Sequence, residues 1–508
     1  MRRSIEFDTG QRSAARWRRS LLDTAGARTA LLLGLLTFAA LYQAAHLSAL
    51  ADPDIWWHLR TGTWILQNHA IPHSGLFSQS ASLAWVDSSW GIDLLAATVS
   101  EALGLRGVPV LMMVLQAAIA AALFLLAYGA HKNFWQAAIL AAVAQFCISG
   151  LKPSPALVSM LFFALELALL LRARRSGQIR PLLWMPLLFL VWVNFDRQFV
   201  YGLLALALFC VAIAVQDLGR RLGSLWFENH RLHLPLGASA AVFAACLLAT
   251  FASPYTYHLH ELMWQSATST AVDRYLPELH SMRFRQLQDY LLLLLVMAAF
   301  LALGRRRSRD LFQISLLVVC SVISFRLQRD TWLVTLAAVG ILGNAFSIDH
   351  REEFRSQAQA DSRRVAVLTA ALILVALALG ALRLPTRDEV LMTKVGESFP
   401  VRASDYIREN HLPQPLFNSY FWGGFLTWYL PEYPVVIDGR VDLYRDAVNI
   451  PYFKLVEAEI PLKSHPGFAQ AQTFLLETKS PIAEALATLP GFRVAYRDDL
   501  ACVLVRRD

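Results

Sequence analysis

Residues 29–50 read TALLLGLLTFAALYQAAHLSAL, and residues 51–60, which follow directly, read ADPDIWWHLR. The first stretch contains no Asp, Glu, Lys or Arg. Its length is that of a helix that crosses a membrane, about 20 residues. The second stretch is polar and opens with two aspartates, so we expect the chain to leave the membrane there. The sequence therefore predicts one spanning helix followed by a loop on the far side.

The rest of the chain repeats this apolar pattern. Of its 508 residues, 56% are hydrophobic and 17% are charged, and the mean hydropathy is +0.43. Soluble domains have about 45–50% apolar and about 25% charged residues, so a soluble protein is excluded. We predict a mainly α, polytopic membrane protein with about 11 transmembrane helices. The predicted spans are 29–50, 108–130, 134–151, 155–171, 181–195, 199–215, 235–252, 288–304, 310–325, 331–347 and 365–382.

Charges in the loops predict the orientation of the bundle. With the N-terminus in the cytoplasm, the cytoplasmic loops carry more than twice as many Lys and Arg residues as the opposite loops before residue 383. Basic residues accumulate in cytoplasmic loops, so this orientation is favoured. An odd number of spans then places the C-terminal part outside. We expect a multi-pass protein of a bacterial inner membrane with a periplasmic C-terminal domain.

Two regions are too polar to span, and they define the domain organisation. We predict a transmembrane domain over 1–382, with a first periplasmic loop at 51–107, and a small α/β domain over 383–508. In the loop, segments 56–65 and 92–103 are typical of helices that lie in the interface, where Trp56, Trp57, Trp64, Trp85 and Trp90 would be accommodated. In the C-terminal domain, β-like runs occur at 434–438, 492–496 and 502–505, a helical stretch at 482–489, and a hairpin turn at 497–499.

Composition also excludes some functions. The net charge is +8, but the positive-inside bias accounts for it, and no nucleic-acid-binding motif accompanies it. We therefore expect no nucleic-acid partner. The five cysteines have no C-x-x-C spacing, so neither a zinc site nor a disulfide framework is predicted.

The acidic residues after the first span are the first candidates for chemistry. Pro53 can start a helix, and His58 then lies four residues after Asp54 on the same helix face. One interpretation is structural: Asp52 caps the helix, and Asp54 in the first turn is stabilised by the helix dipole. The other is a catalytic base, or a divalent metal ligand set of Asp52, Asp54 and His58, facing an outer cavity. The sequence leaves both open.

Cations at the outer ends of spans are a second set of candidates. The positive-inside rule predicts few basic residues there, so they could surround one cavity and hold a lipid phosphate. The alternative is local pairing, such as Asp330 with Arg326 or Asp196 with Arg197. The candidate donor-phosphate residues are Lys152, Arg197, Arg274, Arg326 and Arg329. Further cavity candidates are His58, Asp87, Asn194 and Asp196.

Several motifs resemble one known family. The run 52–62 (DPDIWWHLRTG) is followed by Ile-Pro at 71–72, Phe-Ser at 77–78 and Trp-Val-Asp at 85–87. Together with later motifs, in matching order over most of the chain, it resembles bacterial polytopic GT-C-type glycosyltransferase-like proteins. The later motifs are KPSP at 152–155, WVN at 192–194, SPY at 253–255, FNSY at 417–420, WGG at 422–424 and IDGR at 437–440.

The resemblance implies a reaction and a site. It implies transfer of a sugar from a polyprenyl-phosphate donor, held with membrane lipid, to a glycan, lipid or protein acceptor. It also implies that an acidic residue just after span one, Asp54 or else Asp52, is the catalytic base, while cations stabilise the leaving phosphate. This chain departs from the family where His-Gly often follows the Asn at 194. A monophosphate donor does not require a metal, so metal dependence stays open.

Three functions fit these observations: an inverting glycosyltransferase, a non-catalytic assembly protein with the same fold, and a transporter of lipid-linked substrate. Transporters usually show inverted repeats and polar sites at the membrane midplane, which the sequence does not show. At 437–440, the Asp and Arg either form a pair that fixes the turn or, with Asp442 and Tyr444, contact the acceptor.

Overall fold

A computed structural model of the chain describes residues 25–129, 133–148, 154–222, 234–268, 274–305, 310–345 and 358–507. It is predominantly helical, with one small sheet near the C-terminus. The predicted fold class, a mainly α membrane protein with a C-terminal α/β part, is confirmed. The helices before residue 384 are α1 Ala25–His46, α2 Ile55–Asn68, α3 Trp90–Leu103, α4 Gly107–Tyr128, α5 Phe134–Cys147, α6 Ala156–Ser176, α7 Met185–Trp192, α8 Phe199–Arg221, α9 Leu236–Ala249, α10 Tyr257–Thr268, α11 Leu287–Arg305, α12 Leu311–Arg326, α13 Thr331–Ala345 and α14 Ala358–Arg383.

Each predicted span overlaps one of these helices within the described residues, and residues 130, 149–151 and 346–347 of the predicted spans lie outside them. The number of 11 membrane crossings is not confirmed. Within the described residues, five helical segments are both long and apolar enough to cross a membrane, and two sharply bent helix pairs raise the number to seven. Several other helices are shorter, such as α5 with 14 residues. Large apolar side chains such as Phe38 and Leu301, each 71% exposed, point away from the bundle, as a lipid-facing surface requires.

The C-terminal part wraps short helices around a four-stranded sheet. Its strand order is β1-β2-β4-β3, with β1 parallel to β2 and the other pairs antiparallel. The predicted strands near 492–496 and 502–505 and the hairpin between them are confirmed. The elements are α15 Asp388–Val395, α16 Val401–Glu409, β1 Leu416–Asn418, α17 Tyr420–Tyr429, α18 Val441–Val456, α19 Pro466–Gln470, β2 Thr473–Glu477, α20 Pro481–Thr488, β3 Phe492–Arg497 and β4 Ala501–Arg506.

The strand expected at 434–438 does not form. Only Val435 pairs, in a single bridge with Ser78 of the first loop. The backbone amide of Gln79 donates to the carbonyl of Val435 at 2.9 Å, and that of Val435 donates to the carbonyl of Phe77 at 3.3 Å. The run at 434–438 therefore pairs with the loop and not with a strand of the sheet. Its side chains still pack on the sheet, since Val436 and Ile437 belong to the same hydrophobic cluster as Phe417 and Phe474.

The first loop forms the two predicted helices, but its tryptophans do not all lie where the sequence suggested. Trp56, Trp57 and Trp85 are buried inside the protein. The Trp56 ring packs edge-on against Phe399 and Phe425 of the C-terminal part. These rings therefore join the loop to the C-terminal part instead of lying at a membrane surface.

Candidate functional site

Asp54 lies at the N-terminus of α2, where the chain leaves α1 through Pro53. The helix begins at Ile55, so Asp54 is its N-cap residue rather than part of its first turn. The predicted capping of this helix by Asp52 is wrong: Oδ1 of Asp52 accepts the backbone N–H of Asp54 at 2.9 Å instead. This bond fixes the backbone that carries the Asp54 carboxylate, and the helix dipole favours a negative charge there.

The carboxylate of Asp54 is half-buried and has one side-chain hydrogen bond. The indole Nε1–H of Trp57 donates to its Oδ1 over 3.2 Å. Its other oxygen, Oδ2, accepts no hydrogen bond from the residues that the structure describes. One oxygen is therefore positioned by the protein, and the other is left to accept a proton.

Two glycine motifs of the C-terminal part close around Asp54. A methyl group on Gly439 would lie 1.8 Å from Oδ1 of Asp54, and one on Gly424 would lie 2.4 Å from the carbonyl oxygen of Pro53. A methyl group on Gly423 would lie 2.1 Å from the carbonyl oxygen of Ile437. Only glycine lets these backbones approach so closely. The WGG and IDGR motifs thus bring the C-terminal part onto the candidate base.

Burial sets the proton affinity of this carboxylate. Loss of hydration, followed by repulsion from Asp52, raises the pKa of Asp54 to about 7, against smaller opposing effects of His58 and Trp57. The negative charge of Glu278 contributes to the same rise. A group with such a pKa exchanges protons readily near neutral pH, as a general base must.

His58 contacts another acid that the sequence analysis did not single out. Its Nδ1 lies 2.6 Å from Oδ1 of Asp93, the acidic residue in the first turn of α3, and both side chains are buried. Burial lowers the pKa of His58, against the charges of nearby aspartates. The only signal for Asp93 was a carboxylate between apolar residues in the first turn of a predicted helix.

Asp87 lies in the same buried region. Its Oδ1 accepts the backbone N–H and the hydroxyl of Ser89, each at 3.1 Å, and its Oδ2 has no partner among the described residues. Burial raises its pKa well above the usual range, and the charge of Asp93 adds to this. Asp87 is therefore a neighbour of the His58–Asp93 pair.

The residues present do not fit the divalent metal considered from the sequence. Within the described ranges, no three His, Cys, Asp or Glu side chains are grouped so that they could hold a metal ion. We therefore assign no step of the chemistry to a metal.

Asn194 and Asp196 connect the loop between α7 and α8 to its neighbours. Oδ1 of Asn194 accepts the indole N–H of Trp90 at 3.1 Å. Oδ2 of Asp196 accepts the hydroxyl of Ser159 at 2.6 Å. Burial raises the pKa of Asp196, while the Ser159 bond and then the charges of Arg197 and Arg329 oppose that rise.

The predicted pairing of Asp196 with Arg197 is not what the structure shows. Arg197 instead forms an ion pair with Asp442 of the C-terminal part. The pairing of Asp330 with Arg326 is also wrong. Asp330 forms its ion pair with the adjacent Arg329 instead, over 3.5 Å between Oδ1 and Nε. Asp330 accepts further hydrogen bonds from Tyr201 at 2.5 Å and Gln198 at 2.9 Å.

Of the five predicted phosphate-binding cations, two lie near the same carboxylate, that of Asp196. Arg197 and Arg329 both act electrostatically on Asp196. Arg274, with a side chain 68% exposed, pairs with Glu459 at 2.9 Å, and Arg326 at the end of α12 is exposed. Lys152 lies outside the described residues.

The Asp and Arg of the IDGR motif form the pair that the structural interpretation expected. Arg440 donates to both carboxylate oxygens of Asp438, from Nε at 2.9 Å and Nη2 at 2.7 Å, and the Tyr444 hydroxyl donates to Oδ2 at 2.9 Å. All three side chains are buried. The Arg440 guanidinium also lies 4.9 Å from the ring centre of Trp85. This pair shapes the turn that covers Asp54.

Glu278 and Tyr420 are neighbours of Asp54 that the sequence analysis did not propose as site residues. Burial raises the pKa of the Tyr420 hydroxyl well above its usual value, and the charges of Asp54 and Glu278 add to the effect. Glu278 is exposed. Tyr420 belongs to the FNSY motif, which was a signal for it, whereas Glu278 carried no comparable signal.

No model of a known protein family matches the sequence, and neither does any curated protein. Solved structures do resemble the fold. ArnT from Cupriavidus metallidurans bound to undecaprenyl phosphate is 15% identical, with 92% of this chain and 97% of that chain covered and a TM-score of 0.45. The oligosaccharyltransferase of Archaeoglobus fulgidus in the apo form is 10% identical, with 90% and 69% covered and a TM-score of 0.48. These are likenesses in the overall course of the chain, and no residue role is taken from them.

Proposed function

We propose that this protein is an inverting glycosyltransferase that works on the outer face of the inner membrane. It would move a sugar from a polyprenyl-phosphate donor to a glycan, lipid or protein acceptor, with its N-terminus in the cytoplasm and residues 383–508 outside. The observation that carries the proposal is the Asp54 carboxylate, with a pKa of about 7, Oδ1 held by Trp57 and Oδ2 left without a hydrogen bond from the described residues.

The chemistry follows from these groups. Oδ2 of Asp54 takes the proton of an acceptor hydroxyl while that oxygen forms a bond to the anomeric carbon of the sugar. The bond from this carbon to the phosphate oxygen breaks, and the electron pair leaves with polyprenyl phosphate. Arg197 and Arg329 stabilise the charge of the leaving phosphate. A single displacement inverts the configuration at the anomeric carbon.

Two contacts favour a second candidate, a membrane assembly protein that does not catalyse sugar transfer. The backbone of Gly439 lies against Asp54, and Arg197 is paired with a carboxylate of the same chain. A site with these contacts in place is closed around its candidate base. The two candidates differ in whether any donor is consumed.

The test uses the purified full-length protein in lipid. We would supply a panel of polyprenyl-phosphate sugars together with cell-envelope extract and measure the release of free polyprenyl phosphate. We expect release by the wild type, and a fall of about 100-fold or more in Asp54→Asn, since general-base catalysis contributes about 10²–10⁴. Glu101→Gln, which removes an exposed acid of α3, is the matched control and should keep the wild-type rate.

Two results would contradict the proposal. Equal release by wild type and Asp54→Asn would remove Asp54 from its role as base and leave Asp52 as the candidate. Release from no donor, with extracts from several growth conditions as acceptor source, would support the assembly protein.

A further inference from the structure

The ion pair between Arg197 and Asp442 joins the loop after α7 to the first turn of α18. Both side chains are about one quarter exposed, 27% and 26%. Oδ2 of Asp442 accepts from Nη1 of Arg197, and Oδ1 accepts from the hydroxyl of Ser266 in α10 at 3.3 Å. One carboxylate is thus bound by two donors from two separate segments of the outer surface. We call these three residues the carboxylate clamp.

The clamp lies beside the candidate catalytic centre. Asp442 follows Gly439 by three residues, and the backbone of Gly439 lies against the Asp54 carboxylate. On the other side, the charge of Arg197 acts on Asp196, as does that of Arg329. The Asp442 carboxylate therefore binds Arg197, one of the two cations near Asp196, and it follows by three residues the glycine that lies against the candidate base.

We propose that Arg197 and Ser266 form the phosphate site for the donor and that the Asp442 carboxylate fills this site while no donor is bound. This inference rests on the proposed function, because it concerns the same site. A donor phosphate displaces Asp442, and Asp442 returns to Arg197 when polyprenyl phosphate leaves. Asp442 is then a regulatory competitor of the lipid phosphate.

Chemistry supports this exchange. A carboxylate and a phosphate both present anionic oxygens, and a guanidinium binds either with the same N–H groups. A serine hydroxyl donates equally well to either anion. Since the pair is partly exposed, it contributes little free energy, so a ligand phosphate can replace the carboxylate.

The scaffold around the clamp restricts the exchange to the Asp442 side chain. The buried pair of Asp438 and Arg440, reinforced by Tyr444, holds the turn that precedes Asp442. Asp442 itself lies in the first turn of α18, and its side chain is partly exposed, so the carboxylate can turn to water. No large movement of the C-terminal part is required.

The experiment measures binding rather than transfer, with undecaprenyl phosphate as the probe and the full-length protein in nanodiscs. We expect Asp442→Asn to lower the dissociation constant about threefold to tenfold, since it removes both the competing pair and the repulsion of a bound phosphate. Asp442→Glu keeps a carboxylate, so its dissociation constant should be closer to that of the wild type. Arg197→Ala should weaken binding and abolish the gain from Asp442→Asn in the double variant.

Glu459→Gln is the matched control. It breaks another ion pair between the two parts of the chain, that with Arg274, and should leave the dissociation constant unchanged. Thermal unfolding of each variant shows that it is folded.

The outcomes separate this inference from the proposed function. If the wild type binds undecaprenyl phosphate but Asp442→Asn binds it no more tightly, competition by Asp442 is overturned and the proposed function stands. If Asp442→Asn gains affinity equally with and without Arg197, the phosphate site is not at Arg197, and the inference is wrong. If no variant binds the lipid, both proposals fail.

Discussion

The Nδ1 atom of His58 lies 2.6 Å from Oδ1 of Asp93, and both side chains are buried where α2 packs on α3. The helices are in close contact there, since a methyl group on Gly62 would lie 2.0 Å from the carbonyl oxygen of Asp93. His58 is adjacent to Trp57, whose indole holds Asp54. The pair therefore fixes the helix that presents the candidate base.

Removing the Asp93 carboxylate should destabilise the protein. Asp93→Ala leaves His58 buried without its partner, which costs about 1–3 kcal/mol. Asp93→Asn keeps an acceptor oxygen and should lose less. Thermal unfolding of the purified protein measures both, with Glu101→Gln as the control on the same helix. If Asp93→Asn and Asp93→Ala lower the melting temperature equally, the hydrogen bond to His58 contributes nothing to stability.

The pH dependence of transfer should report the titration of Asp54. A general base works in its ionised form. We therefore expect kcat/KM to rise with pH through about 7, the pKa of Asp54, and not through about 4, the ordinary pKa of an aspartate. The measurement is the initial rate of polyprenyl phosphate release between pH 5 and 9, in buffers of one ionic strength. A rate that is already level at pH 5 would show that Asp54 is not the group that titrates.

The same carboxylate should make stability depend on pH. The pKa of Asp54 is raised from 3.8 to about 7 in the folded protein, so its contribution to stability is full below pH 3.8 and is lost as pH rises through 7. Asp54→Asn carries no charge at any pH. We therefore expect the melting temperature of Asp54→Asn to exceed that of the wild type at pH 8, and the difference to be smaller at pH 5. Equal differences at both pH values would contradict this linkage.

Much of the fold follows from local sequence. Every apolar run proposed as a span contains a helix within the described residues, because the length and composition of such a run leave the backbone little alternative in lipid. The number of membrane crossings cannot be predicted from local sequence in the same way. Helices such as α5, with 14 residues, are shorter than a helix that spans a bilayer. The strand expected at 434–438 failed because Val435 pairs with Ser78, in a loop far away in the sequence.

The site was predictable only in part for the same reason. Asp54 could be proposed because the motif at 52–62, directly after the first span, resembles GT-C-type proteins in which an acidic residue at this place is the base. Its contact with Gly439 and the pairing of Arg197 with Asp442, 245 positions away, depend on how the C-terminal part docks. A sequence pattern reports neighbours along the chain, and these contacts are between segments that are distant along it.

Gly439 should be required for activity more than for folding. A methyl group at this position would lie 1.8 Å from Oδ1 of Asp54 and 2.9 Å from its Cγ, so Gly439→Ala must displace the carboxylate or the turn. A displacement of about 1 Å can lower the rate about 100-fold. The release assay tests this beside Gly491→Ala, where a methyl group meets nothing within 4 Å. Wild-type activity of Gly439→Ala would show that this close contact is not needed for the proposed transfer.

Arg440 should fix the turn that covers Asp54, and lysine should not replace it. Its guanidinium donates to both oxygens of Asp438 from a site only 3% exposed and lies over the Trp85 ring. A lysine ammonium cannot make this two-pronged contact or stack in the same way. Removing one partner of a buried ion pair costs about 3–5 kcal/mol, and Arg440→Lys should lose a large part of it. Thermal unfolding and limited proteolysis of the C-terminal part measure the loss, with Arg408→Lys, in an exposed pair with Glu432, as the control. If both variants have the melting temperature of the wild type, the buried pair does not hold the C-terminal part on the first loop. The contact of the C-terminal part with Asp54 must then depend on the glycines alone.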